Sequence, residues 1–289
     1  MNKEILIELI NKNKKDIFFS GGIKDTAIDK IECELNTILP DDYKWFLKTF
    51  GAGKIKEFKV FGEDNNNTLS TIKMTNIFRK KKLPKNLIVI GFNSEDEIYC
   101  LDTSKMIKKI CPVVVWRKST LKSYEFDINF IYFLYEKIKI ICATKEDIFK
   151  FIDNATNGEY FIKKYFTGGV DIEKVNYIEK ELNVKLPDSY KWFLKTFGYG
   201  GIEGIEIIGY DRCTPPSVVV KTKEYREYGL PEKYVVIEDC DEFIYCLDTS
   251  KMENNECPVI SWDMQDLILF EEKNFIRFFF RELLNMQDN

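Results

Sequence analysis

The sequence predicts an α+β fold that occurs twice in a chain of 289 residues. The first observation is that three segments recur in the same order and at nearly the same offset. They are LPDDYKWFLKTFG at 39–51 with LPDSYKWFLKTFG at 186–198, IYCLDTSKM at 98–106 and 244–252, and CPVVVW at 111–116 with CPVISW at 257–262. Solenoid repeats recur about every 20–50 residues. This longer repeat therefore predicts two complete domains, at 1–141 and 142–289.

The second observation is that each copy begins with helical patterns. The opening helices are predicted at 3–16 and about 144–164, and a Gly-Gly pair follows each as a turn. The next helix carries apolar residues spaced i, i+3 and i+7, which lie on one helical face. These residues are Ile28, Ile31 and Leu35 in the first copy and Val175, Ile178 and Leu182 in the second.

The repeated LPD segment predicts a further helix. Asp41 or Asp188 follows the proline, where an acidic residue favours a helix start. Gly51 and Gly198 follow the last Phe and predict the helix end. Four apolar residues spaced i, i+3, i+4 and i+7 form a core-facing stripe. They are Tyr43, Phe46, Leu47 and Phe50, and Tyr190, Phe193, Leu194 and Phe197.

The third observation is that strand patterns follow, and that a helix closes each copy. The strands are short, rich in β-branched and aromatic residues, and bounded by Gly, Asn, Asp or Pro. They lie at 57–62, 86–92, 97–102 and 112–116, and at 204–210, 233–239, 242–248 and 258–262. Short polar loops predict antiparallel hairpins at 93–96 and 239–241. Phe-rich helices follow around 127–141 and 272–285, which completes an α+β domain.

Composition narrows the functional class. The net charge of −4 gives no general attraction for phosphate backbones or anionic membranes. The chain starts without a signal-peptide pattern, and it has no run of about 20 apolar residues that would span a membrane. The sequence therefore predicts a cytoplasmic protein with no direct nucleic-acid partner and no membrane partner.

Several kinds of catalytic and cofactor site are disfavoured. The sequence has no histidine, which removes His-based triads and the commonest nitrogen ligand for metals. The recurring cysteines, Cys100 with Cys246 and Cys111 with Cys257, show no CxxC spacing and are predicted to be buried structural thiols. The Gly-rich run at 198–204 follows a helix and lacks the third glycine of a dinucleotide loop. We predict no metal, no cofactor and no catalysis, with a carboxylate- or Cys-dependent enzyme as the lesser alternative.

The motifs resemble a known superfamily. The run I-E-x-E-L-N, the segment L-P-D-x-Y-K-x-F-L-K-x-x-G, the strands ending in LDTS, the Pro-Val strand and the Phe-rich final helix resemble the SUKH superfamily. This group includes Smi/Knr-like fungal cell-wall regulators and many bacterial immunity proteins. The resemblance covers both copies almost end to end. It implies an α+β, non-catalytic protein-binding domain, which in bacteria often neutralises a partner toxin, commonly a nuclease.

Acidic side chains cluster in the predicted hairpins and after the first predicted strand. They are Glu63, Asp64, Glu95, Asp96 and Glu97 in the first copy, and Asp211, Glu238, Asp239, Asp241 and Glu242 in the second. One interpretation is a set of solvated turns, and another is an exposed acidic rim that steers a basic partner. Metal binding or acid–base chemistry is the third interpretation.

Two tryptophans depart from the apolar stripe. Trp45 and Trp192 lie two residues after the stripe's Tyr, roughly 200° around the helix, where the family more often has a polar residue. Either they pack on the N-terminal helix of their copy, or they form an interdomain or partner contact.

These observations lead to one expected function and one main alternative. We expect an immunity-type protein that covers a partner toxin with its acidic loops and a sheet-edge surface. A regulatory or scaffold domain for an endogenous partner is the alternative. The sequence leaves open the identity of the partner, the copy that binds it and the oligomeric state.

Overall fold

The computed structural model describes residues 2–63, 70–92, 97–156, 165–202, 204–263 and 268–286. Contacts within the chain divide it into two compact units, Met1–Cys142 and Ala143–Asn289. Each unit combines helices with an antiparallel sheet, which confirms the predicted α+β fold.

The helices of the first unit are capped by polar side chains or follow a proline or lysine. They are α1 (Lys3–Lys12), α2 (Asp25–Leu35), α3 (Asp41–Phe50), α4 (Thr71–Arg79) and α5 (Phe130–Ile141). Asn2, Ser70 and Asn129 each accept a hydrogen bond from a backbone N–H in the first turn of α1, α4 and α5 respectively. These bonds satisfy donors that have no partner within the helix.

The sheet of the first unit is an antiparallel meander. Its strands are β1 (Ile17–Phe19), β2 (Gly53–Ile55), β3 (Phe58–Val60), β4 (Leu87–Phe92), β5 (Glu97–Asp102), β6 (Val113–Arg117) and β7 (Lys122–Asp127). The sheet order is the chain order, so β1 and β7 form its two edges. The sequence patterns predicted β3 to β6 but neither β2 nor the edge strands β1 and β7.

Alternate residues of the central strands enter two cores, because successive side chains of a strand point to opposite faces. Ile88 and Ile90 of β4 join the larger core, together with the stripes of α2, α3 and α5. Leu87 and Val89 join the smaller core with Phe78 of α4. Helix α4 therefore covers the sheet face opposite to the other helices.

The repeated LPD helix is mostly core, as its stripe predicts. Tyr43, Phe46 and Leu47 of α3 are fully buried, and the Tyr43 hydroxyl donates to the Phe61 carbonyl at 2.9 Å. Gly51 ends α3 with a φ of 74°, in the left-handed region that glycine tolerates. The stripe of the helix thus forms part of the core, while Lys48 and Thr49 lie on its exposed side.

The Gly-Gly turn packs directly on this helix. A Cβ atom at Gly22 would lie 1.9 Å from the carbonyl oxygen of Lys48, and one at Gly169 would lie 1.9 Å from that of Lys195. Only glycine fits so close to a backbone carbonyl. This contact explains why the second glycine of the pair recurs in both units.

The second unit repeats the helices of the first. They are α6 (Lys145–Thr156), α7 (Ile172–Leu182), α8 (Asp188–Thr196), α9 (Ser217–Glu227) and α10 (Phe275–Asn285). The predicted stripe residues are buried: Val175, Ile178, Leu182, Tyr190, Phe193, Leu194 and Phe197. The sequence patterns predicted neither α9 nor its counterpart α4.

The described sheet of the second unit has the order β11-β10-β9-β8, and all its pairs are antiparallel. Its strands are β8 (Tyr234–Asp239), β9 (Ile244–Asp248), β10 (Val259–Trp262) and β11 (Ile268–Glu272). The strand predicted at 204–210 was wrong: the chain there forms an isolated bridge between Ile207 and Gly200. Gly200 and Gly204 have φ values of 119° and 96°, which interrupt an extended backbone.

Candidate partner-binding surface

The predicted acidic residues of the first unit that lie within the described ranges already have partners inside the unit. Glu63 accepts a hydrogen bond from the Ser70 hydroxyl at 2.7 Å, beside the start of α4. Glu97 pairs with Arg117 across β5 and β6, with 3.0 Å between Oε1 and Nη2. Asp64, Glu95 and Asp96, and the hairpin predicted at 93–96, lie outside the described residues.

Asp211 in the second unit holds the start of α9. Its Oδ1 atom accepts hydrogen bonds from the backbone N–H groups of Cys213 and Ser217 at 3.3 and 3.1 Å, and its Oδ2 atom accepts one from the Ser217 hydroxyl. Burial raises the pKa of Asp211, but these hydrogen bonds outweigh that effect and leave the pKa lowered. The carboxylate is therefore ionised, and it stabilises the first turn of α9.

Asp239, at the end of β8, is held in a similar way. It accepts hydrogen bonds from Lys221 of α9 at 3.1 Å and from the Tyr225 hydroxyl at 2.9 Å. Burial raises its pKa, and the bonds from Tyr225 and Lys221 more than offset this effect, so the pKa is lowered. Asp241 and Glu242 differ, because both are exposed in the hairpin that joins β8 to β9. These two residues are accessible to a partner protein.

Glu238 was predicted to belong to the exposed acidic rim, and its burial corrects that prediction. Only 7% of the residue is exposed, and its Oε2 atom has no hydrogen-bond partner among the described residues. Burial and the nearby Glu282 raise the pKa of Glu238 to about 8, although Arg281 and the backbone N–H of Glu206 oppose the shift. Glu238 is therefore an internal titratable group.

Arg281 of α10 organises the carboxylates around Glu238. Its guanidinium lies 3.0 Å from Glu271 and 4.0 Å from Glu272, both on β11, and 2.9 Å from Glu282. The guanidinium carbon also lies 6.0 Å from the ring centre of Tyr245. Arg281 is thus the cation that the surrounding acids share.

The first unit places a lysine among aromatic rings in the corresponding region. Lys137 of α5 is buried and donates to the Tyr99 hydroxyl at 2.7 Å. Its ammonium group lies 4.4 Å from the ring centre of Tyr99, 4.7 Å from that of Phe126 and 6.0 Å from that of Phe58. Aromatic faces attract a cation at these distances.

The two off-stripe tryptophans pack on the N-terminal helix of their own unit. The ammonium group of Lys3, on α1, lies 5.1 Å from the ring centre of Trp45. Lys145 of α6 lies 5.5 Å from Trp192, whose ring centre is also 5.7 Å from that of Phe149. Both tryptophans are half-buried. Packing on the N-terminal helix, the first of the two predicted roles, therefore accounts for the position of both tryptophans. The part of each ring that stays exposed is accessible to a partner.

The recurring thiols are buried and resist ionisation. Burial raises the pKa of Cys100 and Cys246 well above the ordinary value, and it raises the pKa of Cys111 and Cys257 to about 12. Because the thiolate is the reactive form, such cysteines are poor nucleophiles. Within the described residues, no group of Cys, Asp and Glu has the arrangement of a metal site.

The sequence patterns missed the edge strand β7 of the first unit, which carries two exposed aromatic residues. Five of its six residues are exposed and the sixth is half-buried. Tyr124 is 50% exposed and lies against Arg117, while Phe126 covers Lys137. The strand shows no alternation of buried and exposed residues, so only the aromatic content of the segment could have indicated it.

Two further observations concern the class of protein to which the chain belongs. None of the helices in the described ranges has the length and apolarity needed to cross a membrane. The SUKH_5 family, described as SMI1-KNR4 cell-wall, matches residues 3–139 and again residues 149–284. The two matches lie in the two compact units and together cover most of the chain. The chain therefore belongs to the SUKH family and contains two SUKH domains in tandem.

Proposed function

We propose that this chain is a non-catalytic protein-binding protein of the immunity type, which neutralises a partner toxin by covering its active surface. Membership of the SUKH family supports this function, because the family is consistent with immunity-type proteins. The observation that carries the proposal is the exposed aromatic edge strand β7 of the first unit.

An edge strand favours a protein ligand. One side of β7 pairs with β6, and no further described strand pairs with the other side, so an extended partner segment can add to the sheet there. Tyr124 supplies an exposed aromatic ring, and aromatic residues are enriched in protein interfaces. On the equivalent strand β11, Glu271 and Glu272 are instead held by Arg281. The first unit is therefore the better candidate for binding.

The predicted acidic residues have a smaller place in this proposal. Asp241 and Glu242 are exposed and can contact a basic partner from the second unit. Glu63, Glu97, Asp211 and Asp239 are engaged inside their units, as described above. Neutralisation by occlusion requires a complementary surface and does not require a reacting group. The recurring buried cysteines, which resist ionisation, are consistent with this mode of action.

Growth rescue tests the proposal. The chain is co-expressed with the candidate toxin domain encoded by the neighbouring open reading frame, and survival is compared with that of cells expressing the toxin alone. We expect rescue by the wild type and its loss in Tyr124→Glu, because an added carboxylate disturbs the edge surface. Phe18→Glu is the matched control, since Phe18 is an exposed aromatic residue on the opposite edge, β1.

The outcomes separate the possibilities. Rescue by the wild type and by Phe18→Glu but not by Tyr124→Glu, together with a purified complex, supports immunity through β7. Absence of rescue rejects immunity against that toxin. Rescue that persists in Tyr124→Glu rejects β7 as the contact surface.

A further inference from the structure

Three segments of the first unit meet at one end of its sheet. The backbone N–H of Asp41, at the start of α3, donates to the Lys109 carbonyl at 2.8 Å. The backbone N–H of Phe130, at the start of α5, donates to Asp42 at 2.8 Å. The turn before β6, the residues before α3 and the residues between β7 and α5 are therefore neighbours.

Four isoleucines are exposed on these segments, and we call them the isoleucine rim. They are Ile38, Ile107, Ile110 and Ile128, with exposed fractions of 64%, 74%, 44% and 70%. Single exposed aliphatic residues are ordinary on a protein surface. A group of them on adjoining segments instead marks a contact surface.

The second unit shows that the fold does not require these isoleucines. At the equivalent positions of the repeat it has charged residues: Lys185, Glu253, Glu256 and Lys273. Some of these charges are used locally, since Lys185 lies 3.2 Å from Glu179 and Glu256 accepts the backbone N–H of Ser189 at 3.0 Å. The apolar rim is therefore a property of the first unit alone.

The turn within the rim adds two cations at positions that do not favour lysine. Ile107 and Ile110 exchange backbone hydrogen bonds of 2.8 and 3.0 Å, and between them Lys108 and Lys109 have φ values of 49° and 62°. This is a type I′ turn, whose two central residues are most often Asn, Asp or Gly.

The second unit forms the same turn with the residues that its geometry favours, Asn254 and Asn255, at φ values of 50° and 61°. Neither Lys108 nor Lys109 forms an ion pair with any residue in the described ranges. Asp41, at the start of α3, is exposed on the helix side of the rim. The turn side is therefore cationic, and it carries two lysines at positions where the backbone favours Asn.

We propose that the isoleucine rim, with Lys108 and Lys109, is a docking site for a partner protein segment that combines apolar side chains with carboxylates. The proposal rests on the protein-binding function proposed above and specifies the unit and the partner's chemistry. The isoleucines contribute buried apolar area, and the two lysines select acidic groups and accelerate association. This partner is opposite in charge to the basic one that the acidic hairpins suggested.

A library of random dodecapeptides displayed on phage provides the probe. It is selected against the full chain, and the affinities of the enriched peptides are measured with synthetic copies. We expect these peptides to combine Asp or Glu with Leu, Ile or Phe. Raising the salt concentration should weaken their binding, because the lysine–carboxylate contacts are screened.

Two variants place the binding on the rim. Lys108→Asn/Lys109→Asn copies the second unit and suits the turn, so the fold is kept while peptide binding falls about tenfold or more. Ile38→Lys/Ile107→Glu, also copied from the second unit, should abolish binding. Lys14→Asn/Lys15→Asn is the control, since it removes two exposed lysines elsewhere in the same unit and should leave affinity unchanged.

Several results would overturn the inference. Failure to enrich any peptide, enrichment of basic peptides, or equal binding by the Lys108→Asn/Lys109→Asn variant and the wild type would each do so. Self-association of the wild type that Ile38→Lys/Ile107→Glu abolishes would assign the rim to a second copy of the chain. Growth rescue that is unaffected by both variants would reject the rim while leaving the immunity function standing.

Discussion

In each unit the C-terminal helix places a cationic side chain near a tyrosine, and the two tyrosines occupy equivalent positions of the repeat. The surroundings of the two cations differ. Lys137 lies among the rings of Tyr99 and Phe126, whereas Arg281 lies among carboxylates beside Tyr245. The ring faces of Tyr99 and Phe126 attract the Lys137 ammonium group and offset part of the cost of burying its charge. A group of acids around one arginine depends on that arginine, because each acid left unpaired in a buried site is costly.

The largest expected difference between the units comes from removing these cations. We expect Arg281→Met to destabilise the second unit by about 3–5 kcal/mol, because Glu271, Glu272 and Glu282 lose their shared partner. Lys137→Met should cost the first unit no more than about 1.5 kcal/mol, since a buried lysine is replaced by a similar apolar chain. Hydrogen exchange read by mass spectrometry, on peptides from β9 and from β5, measures each unit separately. Equal losses in the two units would contradict this account.

The second prediction concerns pH. Because the pKa of Glu238 is raised to about 8 in the folded unit, the folded state keeps a proton that the unfolded chain releases near its ordinary carboxyl pKa of 4.5. The second unit should therefore lose stability as the pH rises from about 4.5 to about 8.

Glu238→Gln isolates this effect. The variant should reduce the pH slope, leaving the smaller contribution of Glu256, whose pKa burial also raises, and gain on the order of 3 kcal/mol relative to the wild type at the upper end of the window. The first unit provides an internal control, because Gly91 occupies the equivalent place in β4, opposite Tyr99. Hydrogen exchange of the wild type and of Glu238→Gln, measured at pH 5 and pH 8, tests this expectation. A slope in Glu238→Gln as steep as that of the wild type would assign the pH dependence to another group.

The smallest expected effect compares the starts of α3 and α8. Asp42 accepts the backbone N–H groups of Tyr43 and Phe130, each at 2.8 Å, and so joins α3 to α5. We expect Asp42→Ala to cost about 2 kcal/mol, because it leaves buried N–H groups unsatisfied. Ser189→Ala, at the equivalent place, should cost only about 1 kcal/mol, since Glu256 still accepts the backbone N–H. Urea unfolding of the two variants checks the order, and a larger loss for Ser189→Ala would reverse it.

The sequence predicted well those parts of the fold that depend on local periodicity. The stripes of α2, α3, α7 and α8 face the core, with only Phe50 half-buried, because spacing alone places their residues on one face. The turns after LD are equally local, because Asp102 and Asp248 accept the backbone N–H groups of Ser104 and Ser250 at 3.1 and 3.3 Å. Each of these features involves residues close together in the chain.

Helix α9 shows where local patterns fail. Its first turn contains three valines, Val218, Val219 and Val220, which favour strands when considered alone. Val218 and Val219 are nevertheless fully buried, and the hydroxyl of Thr222 accepts the backbone N–H of Val236 on β8 at 3.1 Å. Packing on the sheet therefore decides the conformation, and a single sequence does not reveal such packing.

The candidate site was harder to predict, because its acids are defined by distant partners. Glu97 is paired with Arg117, and Asp239 is held by Lys221, which lies 18 residues earlier. Acidic residues in a hairpin look alike in the sequence, whether they are solvated, paired or buried like Glu238. The isoleucine rim became recognisable only when the fold brought its segments to one end of the sheet.

The buried thiols can report how often each of the two units opens. Cys100 and Cys246 occupy equivalent strand positions, and burial keeps both in the protonated form. An alkylating reagent should therefore modify each one only when its own unit opens. The ratio of the two alkylation rates reports how much more often one unit opens than the other, within a single sample and without any engineered label.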